Sequence, residues 1–275
     1  MLAARYGFRG ALWIAAVLCL LSLIANWIYT LMDRHAEPVL HLPEAGSGDK
    51  ITWSDIGKFR PSYWFAVMIC MTFYSAIFPF TALATDFFHD KWGLAMASAT
   101  GLGFFAGVFY NFTHMFTTAQ GTTSIIIAAS MFLAPFAGRL VDRIGHRATL
   151  MIVGSLLMIP AHLVMGVTHV QPVIPMMVLG AAFVLVPAVI WPCVPLIVDE
   201  RRVGTAFGLM TAVQNLGLFT FPYVNGALRD ATHGYTATQV MFGGLGLCGL
   251  IFSLLLLRAD RREGGRLERG PEAAV

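Results

Sequence analysis

The sequence predicts an all-α integral membrane protein, and three observations carry that prediction. Apolar residues make up 57% of the 275-residue chain and charged residues only 12%, where a soluble domain is about 25% charged. The apolar residues are gathered into runs near or beyond the roughly 20 residues that a helix needs to cross a ~30 Å hydrocarbon core. Asp and Glu stay out of those runs altogether. With a mean hydropathy of +0.71, a chain of this length cannot hide its apolar surface in a water-soluble fold. Disordered, nucleic-acid-binding and disulfide-scaffold classes are excluded with it. The net charge of +3 is small. Cys19, Cys70, Cys193 and Cys248 each lie inside an apolar run, with no CxxC or metal-ligand spacing. They read as small core hydrophobes, and no metal or cofactor is expected.

The first run, Gly10–Leu31, follows Arg5 and Arg9 as a signal peptide would. It has full span length, lacks an A-x-A site and runs into Asp33-Arg34-His35, so it reads as a retained span. Met32–Pro61 is polar, holds Pro38, Pro43, Gly46 and Gly48, and reads as a linker. Five further apolar runs follow at Tyr63–Ala84, Thr122–Gly138, Ala148–Val167, Val173–Val198 and Val240–Leu257. Gly204–Gly226 is less hydrophobic and carries Gln214 and Asn215 at its middle. It reads as a span whose polar stripe faces protein or water. Leu94–Tyr110 is short and rich in Gly, Ala and Phe, and reads either as a span or as an interfacial helix.

Charge decides between seven spans and eight. With seven, only Arg5, Arg9, Lys91 and Arg229 of the 18 Lys and Arg residues fall on one side, and the others share the opposite side. That asymmetry is the positive-inside pattern, and an eighth span spoils it. The expected layout is a cell-membrane, multi-pass chain with a cytoplasmic C-terminus. A first transmembrane helix occupies 1–32, a cytoplasmic linker 33–61 and a six-helix bundle 62–258. An outer or re-entrant segment lies at 93–121, and a basic cytoplasmic tail at 259–275. The lipid bilayer is the first expected partner, and no nucleic acid is.

The most specific pattern is Gly138-Arg139-Leu140-Val141-Asp142-Arg143-Ile144-Gly145-His146-Arg147, a very short hairpin between two spans. Gly138 and Gly145 permit close packing and a tight turn. Asp142 suits hydrogen bonds from backbone or arginine, or the positive end of a neighbouring helix. Headgroup anchoring accounts for Arg139, Arg143 and Arg147 but not for the glycine–aspartate–glycine frame. The pattern resembles the G-x-L-x-D-x-x-G-x-[RK] loop motif of the major facilitator superfamily, which follows the second helix of each six-helix half. Here it follows the second helix of the six-span bundle. Further stretches narrow the likeness: Leu31–Glu37, Phe73–Phe80, Val189–Pro192, Gly204–Met210 and Gln214–Gly217. They are similar to the branch containing the lysosomal dipeptide transporter.

The resemblance implies the C-terminal six-helix bundle of a major facilitator fold plus one preceding transmembrane helix, the sixth of the family. It implies a missing N-terminal transporter half as a partner and alternating access about a site between the halves. The cargo it implies is a small-molecule solute, with short peptides suggested by the nearest branch.

Polar and bulky residues inside the spans are the candidates for a solute path, because intramembrane polarity is costly. Trp191 lies between Pro187 and Pro192, one turn before Pro195; prolines kink helices and free carbonyls, so Trp191 suits a gate or a stacking wall. Tyr74 and Phe78 precede Pro79 and suit a cavity lining. Gln214 and Asn215 suit hydrogen bonds to a peptide backbone, and at most one of two adjacent helical residues faces a cavity squarely. For each of these, packing inside the bundle is the competing reading. His162, after Pro160, is a candidate proton or polar site, against a simple interhelical hydrogen bond. The conformational motif is Gly138, Arg139, Asp142, Arg143, Gly145 and Arg147. An enzyme is not expected, since no carboxylate pair, catalytic dyad or HExxH helix falls inside a span. The rival reading is a multi-pass protein that transports nothing, such as a seven-helix receptor or an assembly subunit.

Overall fold

The computed structural model describes residues 2–40, 53–96 and 104–270. Among them are eight α-helices and two 3₁₀ turns, with no strand beyond a single bridge between Ala95 and Thr118. The helices are α1 (Leu2–Leu40), α2 (Pro61–Trp92), α3 (Phe104–Thr113), α4 (Ala119–Ile144), α5 (Arg147–Val167), α6 (Val173–Ile197), α7 (Val203–Thr232) and α8 (Thr236–Glu263). The seven expected spans are the seven long helices. All but α6, which ends at Ile197, overrun their apolar runs, because a helix continues into the headgroup region as long as its backbone bonds satisfy themselves. Six of the seven are long and apolar enough to cross a bilayer, and α7 is the exception. The protein is therefore a multi-pass membrane protein, as its composition requires.

Helices α2 and α4–α8 form one bundle, with α2 at its centre. Helix α2 touches α4, α6, α7 and α8, while α5 bridges α6 and α8. Of its large side chains, Tyr63, Phe73, Phe80, Phe87 and Phe88 are almost fully buried. Helix α8 meets α5 through Gly243, Gly246 and Gly249. A Cβ at Gly246 would lie 3.0 Å from Ile159 Cγ1, and one at Gly249 would lie 3.3 Å from Ser155 Oγ. Small residues allow such close contact where lipid supplies no hydrophobic drive between helices. Helix α7 approaches α2 in the same way, and a Cβ on Gly217 would collide with Ser75.

The first helix behaves differently. From Leu12 to Met32 none of its described side chains is buried, and Trp13 and Trp27 are 73% and 66% exposed. It continues to Leu40, beyond the expected boundary at residue 32. The expectation that all four cysteines are core residues holds for Cys70 and Cys193 only; Cys19 and Cys248 are exposed, because they sit on the outward faces of α1 and α8.

The bundle has two distinct ends. Ser62 bonds Glu263 at one end, where the α4–α5 hairpin also lies against residues 267–269. At the other end Lys91 Nζ donates to the carbonyls of Met165 and Gly166, and Trp92 Nε1 donates to that of Val170. The segment between α2 and α4 starts and finishes at this second end, where Ala119 N donates to Ala95 O at 3.0 Å. Helix α3, of 10 residues, is about 15 Å long, half of what a hydrocarbon core requires.

Candidate functional site

Three helices contribute to an aromatic wall. Trp191 Nε1 on α6 donates a 2.9 Å hydrogen bond to Tyr74 Oη on α2. Phe78, one turn along α2, stacks on Tyr74 at 5.7 Å and 5°. Phe183 of α6 meets Phe78 edge-on at 5.9 Å, and Phe207 of α7 stacks on Trp191 at 6.0 Å and 28°. The sequence explains the placement. Tyr74 and Phe78 are four apart, on one helix face. Proline has no N–H, so Pro187 and Pro195 leave the carbonyls of Phe183 and Trp191 without their helical donors. Each such pair adds about 0.5–1.5 kcal/mol beyond area burial. Tyr74 is 8% exposed and Phe78 44% exposed, so the wall is rooted in the core and opens outward at Phe78. Tyr74, Phe78 and Trp191, singled out separately in the sequence, are brought together. Phe183 and Phe207 were missed; their only signal is a spacing of four before Pro187 and membership of the Gly204–Met210 stretch.

The two amides of α7 part company. Gln214 Oε1 accepts from Cys70 Sγ at 3.6 Å, and Cys70 lies one turn before Tyr74 on the same α2 face. Asn215 is exposed. It lies on a face of α7 that also presents Thr211, Leu216, Phe219, Thr220 and Tyr223, with Phe219 and Tyr223 each 81% exposed. Asn225, which the sequence reading passed over, is buried with its Oδ1 unpartnered among the described residues. His162 belongs to none of this. It is 0% exposed, its Nδ1 is 2.9 Å from Gln239 Oε1, and Phe80 and Phe242 wall it at 5.1 and 5.3 Å. Its surroundings are those of an interhelical tether between α5 and α8.

The hairpin is as tight as its glycines suggest, but the two glycines differ. Gly145 ends α4 at φ +67°, the following His146 is at φ +40°, and α5 starts at Arg147. A Cβ on Gly145 would also collide with the backbone of Arg269. Close packing at Gly138, by contrast, is not found, because nothing lies within 4 Å of a Cβ built there. Arg139, Asp142 and Arg143 are exposed. The packing surface for this stretch of α4 is therefore not supplied by the described residues.

The tail is a strap, which charge alone did not reveal. Leu267 is fully buried, its carbonyl accepts from Arg147 N at 2.8 Å, and its N–H donates to Asp260 Oδ1 at 3.1 Å. Glu268 accepts from Thr149 N and Thr149 Oγ1, each at 2.9 Å, and lies 2.9 Å from His146 Nδ1. Burial pushes the Glu268 carboxyl up, but these bonds outweigh it and hold the group below the usual carboxylate value.

At the opposite end, Arg229 Nη2 pairs with Asp90 Oδ2 at 3.2 Å, and Tyr235 Oη donates to the same oxygen at 3.3 Å. Burial and the Asp90 and Asp86 carboxylates push the Tyr235 phenol up to about 12, against the pull of Arg229. The phenol therefore stays protonated as a donor, and the group ties α7 to α2 beside a cleft of about 1000 Å³.

The family model of the Major Facilitator Superfamily matches residues 110–274. The chain is 29% identical over 256 residues to the lysosomal dipeptide transporter MFSD1 of Bos taurus and to that of Homo sapiens. Each match covers 93% of this chain and 50% of the relative. Its counterpart from Danio rerio is 30% identical over 255 residues, covering 92% of this chain and 51% of the relative. The chain thus spans about half the length of the curated relatives it matches.

Proposed function

Because the chain belongs to the major facilitator superfamily, we propose that it forms the C-terminal half of a membrane transporter that moves a small solute by alternating access. A complementary helical half supplies the opposite wall of the path. The observation that carries this reading is the side of the bundle where the aromatic wall opens. Phe78 is exposed there, and Asn215, Phe219 and Tyr223 are exposed along α7, the one long helix among the described residues that is not apolar enough to count as a span by itself. Polar groups at membrane depth are tolerated where they face protein or a water-filled cavity.

In this reading Tyr74, Phe78 and Trp191 form one wall of the solute path, with Phe183 and Phe207 supporting them. Of the two amides Asn215 is the one presented to the solute, while Gln214 is tied to Cys70 beside the wall, and the likeness to dipeptide transporters makes short peptides the first candidate. The hydrogen bond from Trp191 to Tyr74 crosslinks α6 to α2, so a movement of α6 reaches the wall directly. Gly138, Arg139, Asp142, Arg143, Gly145 and Arg147 form the hinge-side motif, whose bare Gly138–Asp142 surface is covered by the complementary half. The hairpin end is cytoplasmic, as its excess of Lys and Arg favours, and the cell membrane is the assigned location. The segment at 93–121 lies at the outer face.

The test is uptake into liposomes, screened with dipeptides, amino acids and sugars. Saturable dipeptide uptake is expected when the chain is joined by its complementary half, and none from the chain alone. Saturable uptake by the chain alone overturns the half-carrier assignment. Uptake of sugars but not peptides by the joined halves overturns the substrate class.

A further inference from the structure

The hydrogen bond behind the aromatic wall has a direction, and the direction leaves a donor over. An indole N–H only donates, while a phenol both donates and accepts. In the 2.9 Å bond between Trp191 Nε1 and Tyr74 Oη, Tyr74 is therefore the acceptor, and its own hydrogen points elsewhere. Among the described residues that hydrogen has no acceptor within bonding distance. Tyr74 is only 8% exposed, and the rings of Phe73, Phe78 and Trp191 lie around it. A donor so buried is costly to leave unpaired, and the bond that the phenol accepts strengthens the one it can give. Tyr74 lies about 20 Å from the hairpin end of α2, a helix about 48 Å long. It is thus near the depth at which a site between two halves belongs.

We propose that the Tyr74 hydroxyl is a hydrogen-bond donor to the solute, and that the acceptor it selects is an uncharged amide carbonyl, the middle of a short peptide rather than its carboxylate. This role rests on the transport reading above and names the atom of the solute that the wall reads. The surroundings favour a neutral acceptor. The hydroxyl sits among rings whose faces are electron-rich, and the wall carries no cation. A carboxylate brought there would give up its hydration for one neutral donor, whereas a carbonyl gives up far less. Trp191 is then more than a stacking surface. By occupying the acceptor side of the phenol, it keeps the Tyr74 hydrogen turned away from α6, so the wall cannot take a donor in place of an acceptor. One turn away Gln214 spends its oxygen in the same sense, on Cys70 Sγ at 3.6 Å. A site built around a donor rejects an analogue that lacks the acceptor much more strongly than it rejects a change in apolar bulk.

Uptake of labelled Ala-Ala by the chain joined to its complementary half is measured in liposomes, with unlabelled Ala-Ala and its (E)-alkene isostere as competitors. The isostere keeps the length and both charged ends of the dipeptide but has no carbonyl to accept. The quantity read is the ratio of the two inhibition constants. In the unaltered protein the isostere is expected to be weaker by about tenfold or more. In Tyr74→Phe, which keeps the ring and its stack on Phe78, the ratio shrinks by about tenfold. Loss of the bond to Trp191 weakens both competitors alike, and the N–H missing from the isostere is missing in both proteins, so each cancels in the ratio. In Trp191→Phe the Tyr74 hydrogen is free to turn, and the ratio shrinks by a smaller factor, about threefold. An isostere that competes as well as Ala-Ala in the unaltered protein, or a ratio that Tyr74→Phe leaves unchanged, overturns the assignment. If Tyr74→Phe does not fold, Trp191→Phe decides: a smaller ratio supports the directed donor, and an unchanged one overturns it. Absence of Ala-Ala uptake by the unaltered protein overturns the transport reading and this inference with it, whereas uptake with an unchanged ratio overturns this inference alone.

Discussion

Helices α7 and α8 follow one another in the chain, are of similar length and lie antiparallel, yet their outward faces are opposites. The exposed face of α8 is Val240, Gly244, Leu247, Cys248, Ile251 and Leu254, a continuous apolar surface that lipid satisfies. The exposed face of α7 carries Thr211, Asn215, Thr220 and Tyr223 among its apolar groups. Inward, α8 is seated on α5 through three glycines, whereas α7 rests mainly on α2. Exposure in a membrane protein thus has two meanings, and the chemistry of the exposed side chains separates them. One face is finished by lipid, and the other awaits protein or water.

A charge placed on each face gives the largest contrast. Ile251→Arg puts a cation into lipid and is expected to cost about 2.5–3.5 kcal/mol of insertion or folding free energy. Asn215→Arg is expected to cost well under half of that. Equal losses in a membrane-insertion assay would abolish the distinction between the faces.

Trp191→Ala removes the bond to Tyr74 and the stack on Phe207 together. With an interhelical bond worth about 0.6–2 kcal/mol, unfolding in nanodiscs should show a loss of about 2 kcal/mol. Solute affinity of the joined halves should fall with it. Trp191→Phe keeps the stack, so it should lose only the part owed to the bond. Unchanged affinity in both variants would make the wall a packing feature.

The hairpin glycines extend the contrast between satisfied and unsatisfied surfaces. Gly145→Ala meets both a left-handed backbone and the Arg269 carbonyl, and should destabilise by about 1–3 kcal/mol. Gly138→Leu faces open space in the chain alone. It should leave the thermal midpoint unchanged or slightly raised, since glycine is a poor helix former by about 1 kcal/mol. Transport by the joined halves should fall in Gly138→Leu and in Asp142→Asn. Normal transport in both would remove the motif from the mechanism.

The smallest effect is at the strap. Glu268 is held below its unfolded value of about 4.3, so its contribution is fully present above that value. It is lost as the pH falls through the lower folded value. Glu268→Gln should cost about 1 kcal/mol at neutral pH and flatten the acid limb of the stability curve. An acid limb identical to that of the unaltered chain would mean that another carboxylate governs it.

Much of this was legible without coordinates. The apolar runs gave the seven long helices, because a bilayer fixes span length and forbids unsatisfied backbone. The prolines of α2 and α6 pointed to Tyr74, Phe78 and Trp191 because they disturb a helix in a way that sequence displays directly. Phe183 and Phe207 were not legible, since contact across helices depends on rotation about each axis, which hydropathy along a uniformly apolar helix such as α6 does not encode. His162 looked polar and central, but which neighbour it meets is decided by the packing of α5 on α8, and that neighbour is Gln239. The tail looked like a solvated basic end, yet Leu267 plugs the hairpin and Glu268 caps it.

By itself, the sequence determined the class, the helices and the charge asymmetry of the ends, because these follow from the local cost of polar and charged groups in hydrocarbon. Only the tertiary structure decided which aromatics meet, which glycine is crowded and which is bare, and that the tail folds back onto the hairpin. Those facts depend on how far each helix turns about its axis and how closely it approaches its neighbour, which are settled by packing among residues remote in the chain.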